Sequence, residues 1–199
     1  SILSVMSGNK ICGVGINDAN YRVCIKESLG YINGVYKQKG IWECPYYKRW
    51  RSMLTRCYSN RLKTYLKCTV CEEWLTFSHF KAWMEIQDWE GKELDKDIII
   101  AGNTEYGPST CVFVTKAINL FFTYNQDCKG FRLAPSGKFY AYFRNGSNTQ
   151  HLGSFNTEQE AREVHLMAKY ELAKQLAAEQ TDCRVRQALL ERFNFAKQH

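Results

Sequence analysis

The sequence predicts an α+β fold in which small antiparallel sheets alternate with short amphipathic helices. Alternating apolar runs end at turn residues such as Asn33-Gly34 and Asn145-Gly146, a pattern typical of β-hairpins. Elsewhere apolar residues recur every three or four positions, which is typical of helices that bury one face. The 199 residues, 45% of them hydrophobic, suffice for one or two small domains that each bury a core.

Residues 8–40 are predicted to form short strands. Ile11–Ile16 and Tyr21–Ile25 are apolar runs separated by Asn17-Asp18, and Asn33-Gly34 marks a later turn.

Two helices are predicted between residues 45 and 90. In Tyr46–Tyr58 the apolar residues fall on one face and leave the basic residues on the others. Ser78 is predicted to cap the second helix, which buries Phe80 and ends near Gly91.

Residues 92–124 predict the order strand, loop, strand, helix. The corresponding segments are a strand Glu93–Ile100, a loop Ala101–Thr110, a strand Cys111–Val114, and a helix capped by Thr115 that runs through Asn119 to Tyr124. The loop contains the glycine and proline residues that separate such strands.

Residues 129–176 predict a three-stranded sheet followed by a helix. The strands are Gly130–Ala134, Lys138–Arg144 and Gln150–Leu152. Thr157 and Glu160 form a capping box at the start of the helix. A last helix is predicted from about Asp182 to Phe195.

The net charge of +7 is distributed unevenly along the chain. Residues 41–70 hold seven basic residues and one acid, residues 72–110 hold nine acids and three lysines, and residues 129–153 hold four basic residues and no acid. This order suits a metal-dependent nuclease, since cationic segments bind phosphates and carboxylates hold a divalent cation. On charge alone, the alternative that these groups only solvate exposed faces stays open.

Four short motifs lie between Lys129 and Lys174: Gly130-Phe131, Gly137–Tyr142, Leu152–Phe155 and Asn156–Ala161. Together they resemble an APETALA2-type (ethylene-response-factor) DNA-binding domain. The resemblance implies a three-stranded sheet that lies in the major groove of double-stranded DNA, with one helix behind it. The implied DNA-contacting residues are Arg132, Lys138, Tyr140, Tyr142 and Arg144. The alternative is a small α+β fold with an incidentally basic sheet.

Five further motifs precede this segment: Arg56-Cys57-Tyr58, Cys71–Trp74, Phe80–Trp83, Leu94–Asp97 and Tyr106–Pro108. They resemble phage proteins of the HNH homing-endonuclease family, whose core is a ββα-metal unit. The resemblance implies a degenerate HNH-like nuclease domain over residues 1–125 and a DNA-binding domain over residues 126–199. It also implies a phage, phage-satellite or other mobile genetic element acting in the cytoplasm of a bacterial host.

The chain departs from the HNH pattern at the most important residue. HNH enzymes place an Asp-His pair on the first strand, and the histidine is the general base for the attacking water. Here the matching segment is Asp95-Lys96-Asp97, and no histidine lies between residues 79 and 151. On a strand, Asp95 and Asp97 would share one face and Lys96 would point away. Two registers fit: Asp95 binds metal with Lys96 as base, or Asp97 occupies the base position.

The resemblance assigns Asn119 to the metal site together with Asp95 and Asp97, and gives Asn103 an orienting role. Oxygen ligands suit Mg²⁺ or Mn²⁺ rather than Zn²⁺. Because losing a good general base costs about 10²–10⁴-fold in rate, a slow enzyme is expected. Structural Zn²⁺ is not expected, since the single Cys68-x-x-Cys71 pair lacks a specified partner pair.

The sequence therefore predicts a sequence-specific DNA endonuclease, and a nickase because one ββα-metal site cuts one strand. Four basic residues of the first predicted helix are assigned to DNA: Lys48, Arg49, Arg51 and Arg56. We expect a monomer without a membrane span, since no uninterrupted run of about 18 apolar residues occurs. Nine cysteines without a regular framework favour free thiols in a reducing cytoplasm.

Two alternatives remain open at this point. The chain could be a catalytically inactive DNA-binding repressor or blocker derived from a homing endonuclease. A weaker alternative is a protein that binds a host factor through the basic helix Tyr46–Tyr58.

Overall fold

The computed structural model describes residues 10–125 and 128–197. Its strands and helices, in chain order, are β1 (Cys24–Ile32), β2 (Val35–Glu43), α1 (Pro45–Tyr58), β3 (Thr69–Val70), α2 (Phe77–Glu85), β4 (Glu93–Asp95), β5 (Glu105–Tyr106), β6 (Val112–Val114), α3 (Lys116–Asn125), β7 (Phe131–Leu133), β8 (Phe139–Asn145), β9 (Asn148–Phe155), α4 (Glu158–Ala178) and α5 (Cys183–Arg192). Helices hold 39% of the residues and strands 27%, in small sheets, so the predicted α+β class is confirmed at this level.

The chain divides into two compact units. The first unit contains the residues up to Glu90 together with Gly102–Cys111, and the second contains Gly91–Ala101 together with the residues from Val112 onward. This division differs from the predicted boundary after residue 125. The reason is that apolar side chains of β6 and α3 join one buried cluster with α4, α5 and the residue after α5, as Val114, Ile118 and Phe193 illustrate.

The first unit is built on α1 and α2, which pack through aromatic rings. The indole N–H of Trp50 donates to the carbonyl of Trp74 over 2.7 Å, and both side chains are fully buried. Phe77 lies 5.4 Å from the ring of Trp50. Helix α1 matches the predicted Tyr46–Tyr58 segment, because its apolar stripe faces this core.

Helix α2 begins and ends earlier than predicted. Its N-cap residue is Thr76, so the prediction of Ser78 as the cap is wrong. Ser78 lies inside the first turn, where its amide and its hydroxyl both donate to the carboxylate of Asp18. A carboxylate from another segment therefore satisfies this helix start, and the helix ends at Glu85 rather than near Gly91.

Strands β1 and β2 form an antiparallel hairpin that closes at Asn33 and Gly34. Both residues have positive φ, 52° and 76°, as two-residue hairpin turns require, and the predicted turn is confirmed. The predicted strand Ile11–Ile16 is wrong. The chain instead turns back through Cys12 and Gly13, at φ 51° and 78°, and leaves only isolated bridges there.

In the second unit, β4 pairs antiparallel with β6, and α3 follows. The hydroxyl of Thr115 accepts the amide of Ile118 at 3.3 Å, which confirms the predicted cap. Strand β4 is much shorter than the predicted strand Glu93–Ile100, since it ends at Asp95. The loop predicted over residues 101–110 contains β5, which pairs in parallel with β3 of the first unit.

The second unit also contains the sheet β7–β8–β9, which is covered on one face by α4. Ala141 and Phe143 of β8 are buried on this face, in agreement with the predicted alternation. The capping box of Thr157 and Glu160 is present at the start of α4. Within residues 10–125 and 128–197, no helix has the length and apolar composition needed to cross a membrane.

Candidate active site and nucleic-acid interface

Strand β4 ends where the side chain of Asp95 bonds the backbone that follows it. Oδ1 of Asp95 accepts the amide of Asp97 at 2.8 Å and that of Ile98 at 2.8 Å. Aspartate favours turns for this reason, because its carboxylate replaces a strand partner for the next amides. The position of this carboxylate is therefore fixed by the local sequence rather than by a distant element.

The Asp95 carboxylate has an unusual ionisation. Burial, followed by repulsion from the carboxylate of Asp97, raises the pKa of Asp95 to about 6, although its two bonds from backbone amides act in the opposite direction. Two adjacent carboxylates at a partly buried position are an arrangement typical of functional sites, since proteins rarely tolerate such repulsion without a use for it.

Lys96 lies beside the second carboxylate instead of pointing away from it. Its ammonium is 3.0 Å from Oδ2 of Asp97, and the lysine side chain is only 11% exposed against 37% for the aspartate. The predicted orientation of Lys96 is wrong because the chain bends after Asp95 and no longer alternates like a strand. The role of Lys96 as a general base stays a prediction.

Arg192, the last residue of α5, holds the same turn from the other side. Its Nη2 donates to the carbonyl of Asp97 at 3.0 Å and to that of Ile98 at 2.6 Å, and its guanidinium lies 4.9 Å from the ring of Phe122. Burial lowers the pKa of Arg192, and the carboxylates of Asp97 and Asp95 oppose this shift. Sequence reasoning missed Arg192, because nothing in its local pattern connects it to a turn more than ninety residues earlier.

Asn119 reaches β4 at Glu93. Its Nδ2 donates to Oε2 of Glu93 over 2.6 Å. Glu93 and Asp95 are two positions apart on β4 and so share a face, whereas Leu94 between them is buried. Sequence reasoning missed Glu93, although the alternation of Glu93 and Asp95 on a strand could have identified it.

Asn103 belongs to the first unit. Its Nδ2 donates to the carbonyl of Glu105 at 2.7 Å, and its Oδ1 accepts the amide of the same residue at 3.5 Å. These bonds shape the turn that precedes β5. The orienting role assigned to Asn103 stays a prediction.

The donor set at β4 can be compared with the needs of a divalent cation. Among the described residues, no three histidine, cysteine, aspartate or glutamate side chains converge as a metal-binding group. The carboxylates of Asp95 and Asp97 nevertheless repel each other, and the two side chains lie within hydrogen-bonding range of one another. A cation would relieve that repulsion, and Mg²⁺ is commonly bound by one or two carboxylates plus several waters. The carboxylates of Asp95 and Asp97 therefore fit a Mg²⁺ or Mn²⁺ ion that would be bound by protein on one side and by water on the other.

The basic residues of α1 are only partly available for DNA. Arg51 donates from Nε and Nη2 to Oε1 of Glu43 at 3.0 and 2.8 Å. The guanidinium of Arg56 lies 5.9 Å from the ring centroid of Tyr65 and also forms a hydrogen bond with the side chain of Tyr106, which is buried. Lys48 is exposed. Arg51 and Arg56 are thus engaged within the protein.

The exposed face of the sheet carries a row of stacked side chains across its three strands. The guanidinium of Arg132 on β7 lies 4.8 Å from the ring centroid of Tyr140 on β8. The ring of His151 on β9 stacks on the same tyrosine at 4.2 Å with an interplanar angle of 12°. Sequence reasoning placed His151 on the strand surface but missed this stack. A register irregularity after Ala141 offsets the strands locally, and alternation alone does not reveal it.

Arg144 and Tyr142 extend this face. Burial raises the pKa of the Tyr142 hydroxyl, and Arg144 and Arg132 both act to lower it, so all three groups lie within electrostatic range. Lys138 is exposed and lies immediately before β8. Because residues 129–153 contain no acid, this face is positively charged and carries flat side chains, which suits a phosphate backbone and base edges.

Comparison with known proteins leaves the function to be argued from these residues. No family model matches the chain, and neither a curated protein nor a solved structure matches it. Two features carry the functional argument: the Asp95–Asp97 carboxylate pair and the cationic, aromatic face of the β7–β8–β9 sheet.

Proposed function

We propose that the protein is a metal-dependent DNA endonuclease of HNH type that nicks one strand at the Asp95–Asp97 turn. The observation that carries this proposal is a carboxylate with a pKa of about 6 beside a second carboxylate, at the end of the first strand of a strand–strand–helix segment. The resemblance to phage HNH proteins supports a role in homing or in interference between mobile elements.

A Mg²⁺ or Mn²⁺ ion would be held by Asp95 and Asp97, with Asn119 nearby at Glu93. The ion would stabilise the negative charge that develops on the phosphate and on the leaving 3′ oxygen. Asp95 is ionised above pH 6 and so provides a charged ligand at neutral pH. We assign Asp97, whose carboxylate is 37% exposed, to accept the proton of the attacking water.

The two cationic side chains of the turn have supporting roles in this mechanism. Lys96 orients the Asp97 carboxylate, and its ammonium adds positive charge beside the scissile phosphate. Arg192 fixes the backbone of the turn through the carbonyls of Asp97 and Ile98. Because the described residues contain one such turn, each binding event cuts one strand.

The nicking reaction gives the direct test. Supercoiled plasmids with phage-derived inserts should be converted to open circles by the protein with Mg²⁺ or Mn²⁺, and not with a chelator. Asp97→Ala should lower the nicking rate by about 10²–10⁴-fold, the usual cost of losing a general base. Asn119→Ala should also slow it, whereas the exposed acid Glu90 is a control whose alanine variant should keep full activity. Plasmid that is bound but never nicked would contradict the enzyme proposal.

The sheet gives a separate test of DNA binding. Arg132→Ala and Arg144→Ala should each weaken binding, because each removes a cation from the face without acids. If each contacts one phosphate, the slope of log affinity against log salt should fall by about 0.9 per variant. Arg51→Ala is the matched control with a smaller expected effect, since Arg51 is paired with Glu43. Fluorescence anisotropy between 50 and 200 mM salt measures this, and a wild-type affinity insensitive to salt would exclude both DNA functions.

A second candidate function is that of a non-catalytic DNA-binding repressor or blocker. The observation that favours it is the ion pair of Lys96 and Asp97 where HNH enzymes have a histidine base. This candidate predicts salt-dependent binding through the sheet together with no product in the nicking assay.

A further inference from the structure

The β1–β2 hairpin is a two-stranded ribbon whose side chains are nearly all exposed. The exposed large apolar residues along it are Ile25, Leu29, Tyr31, Ile32, Val35, Tyr36, Ile41 and Trp42. A two-stranded hairpin is marginally stable by itself in water, and a concentration of exposed apolar side chains marks an interaction surface. The hairpin therefore has the properties of an element that is covered when the protein functions.

The charge of this segment indicates what covers it. Residues 22–42 contain four basic residues and one acid, Glu27, which gives a net charge of +3. Glu27 lies opposite Lys39 in the strand register. Lys26 and Lys37 are exposed and, in the part of the chain that the structure describes, form no ion pair. A polyanion therefore fits this ribbon better than a basic or neutral surface.

The dimensions of the ribbon fit a DNA groove. Each strand has nine residues, which corresponds to a reach of about 30 Å at roughly 3.3 Å per residue. The major groove of B-DNA is about 12 Å wide and admits a two-stranded β-ribbon. The ribbon is thus long enough to follow nearly one turn of the double helix.

The tip of the hairpin is apolar and held in shape. Ile32 and Val35 flank the turn and are 41% and 59% exposed. Behind them, the rings of Tyr31 and Tyr36 meet edge to face at 5.6 Å, and the Tyr36 hydroxyl donates to Oγ of Ser28 at 2.9 Å. Apolar side chains at such a tip are suited to contact with base pairs in the major groove, where the methyl group of thymine is exposed.

We propose that the β1–β2 hairpin is a second DNA-binding element, separate from the β7–β8–β9 sheet. Lys26, Lys37 and Lys39 bind phosphates along the ribbon, and Ile32 and Val35 contact base pairs at its tip. The proposal rests on the proposed DNA function. Some of the DNA binding that the sequence assigns to α1 is now assigned to the hairpin.

The test uses the full chain and a fluorescein-labelled 40-base-pair duplex of mixed sequence. Replacing Lys26, Lys37 and Lys39 together by alanine should lower affinity at least tenfold, and should reduce the slope of log affinity against log salt by roughly 2 to 3. The triple arginine variant keeps the charge and should bind like the wild type. Since these side chains are exposed, circular dichroism should show an unchanged fold in both. Wild-type affinity in the triple alanine variant overturns the inference.

A second measurement locates the contact without any mutation. Bound duplex should protect Lys26, Lys37 and Lys39 from acetylation, whereas Lys174, ion-paired with Glu171 on α4, should be modified equally with and without DNA. Equal modification of the hairpin lysines in both conditions overturns the inference.

The outcomes separate this inference from the proposed function. If Arg132→Ala weakens binding and the hairpin variant does not, the DNA function stands and the hairpin inference fails. If the wild type does not bind the duplex at all, both fail. If sedimentation shows a dimer that Ile32→Ser with Val35→Ser dissociates without any effect on DNA affinity, the hairpin binds a second copy of the chain and the inference fails.

Discussion

Replacing Asp95 by asparagine is expected to stabilise the folded protein at neutral pH and to slow nicking strongly. Asparagine keeps an oxygen that can accept the amides of Asp97 and Ile98, so the turn is retained. The substitution removes a negative charge that burial and Asp97 both disfavour. A pKa of about 6, against 3.8 for an ordinary aspartate, corresponds to a gain on the order of 1–3 kcal/mol in the free energy of unfolding.

The stability difference should depend on pH in a defined direction. Because the pKa of Asp95 is raised in the folded state, that state binds its proton more tightly than the unfolded chain does. As the pH rises from about 4 to about 7, the free energy of unfolding of the wild type should therefore fall, and this group should contribute no further loss at higher pH. The Asp95→Asn variant should lack this fall. Urea denaturation at pH 4, 5, 6 and 7 measures both curves.

The nicking activity of the Asp95→Asn variant should fall, although its stability should rise. Losing one of two carboxylates that hold the metal should lower nicking by about 10²–10⁴-fold, as for other losses of a catalytic group. Asp182 provides a matched control, because its bond to Arg184 holds the pKa of Asp182 below its usual value. Asp182→Asn should therefore destabilise the protein and leave nicking unchanged. If Asp95→Asn instead lowers stability and keeps activity, Asp95 is only a turn residue.

The contrast between these two aspartates illustrates what the sequence could predict. Features set by neighbouring residues were predictable: helix α1 from its apolar spacing, the hairpin turn at Asn33-Gly34, and the capping box of Thr157. Each depends on side chains within one or two turns of the chain. Asp182 belongs to the same class, since it caps α5 and bonds a residue two positions away.

Features that depend on distant residues were not predictable. Arg192 is one, since it contacts Asp97 across 95 positions of the sequence. The end of β4 was missed for a different reason: its bond is local, but the alternating pattern made Asp95 look like a strand residue. The division into units also depends on packing between β6, α3 and Phe193, which no local pattern records.

Gly130→Ala is expected to unfold the sheet β7–β8–β9 and to eliminate DNA binding through it. Gly130 has φ +73°, and a Cβ built there lies 1.9 Å from Cγ of His165. That ring has no room to move, because it is 1% exposed and its Nδ1 bonds the carbonyl of Tyr142 at 2.8 Å. The carbonyl of Gly130 accepts the amide of the same Tyr142, so backbone relaxation would break β8. Overpacking and a left-handed backbone together should cost more than about 3 kcal/mol.

Gly137→Ala is the control that separates the collision from the backbone strain. Gly137 has a similar φ of +80°, but a Cβ there meets nothing within 4 Å, so only the strain of roughly 1–2 kcal/mol is expected. Combining Gly130→Ala with His165→Ala should recover part of the loss, since the ring that blocks the Cβ is gone. Urea denaturation and amide hydrogen exchange in β8 measure the three variants. Equal losses for the two glycine variants would mean that His165 yields to the new methyl group, and that the sheet is held by its strand ladder rather than by this buried ring.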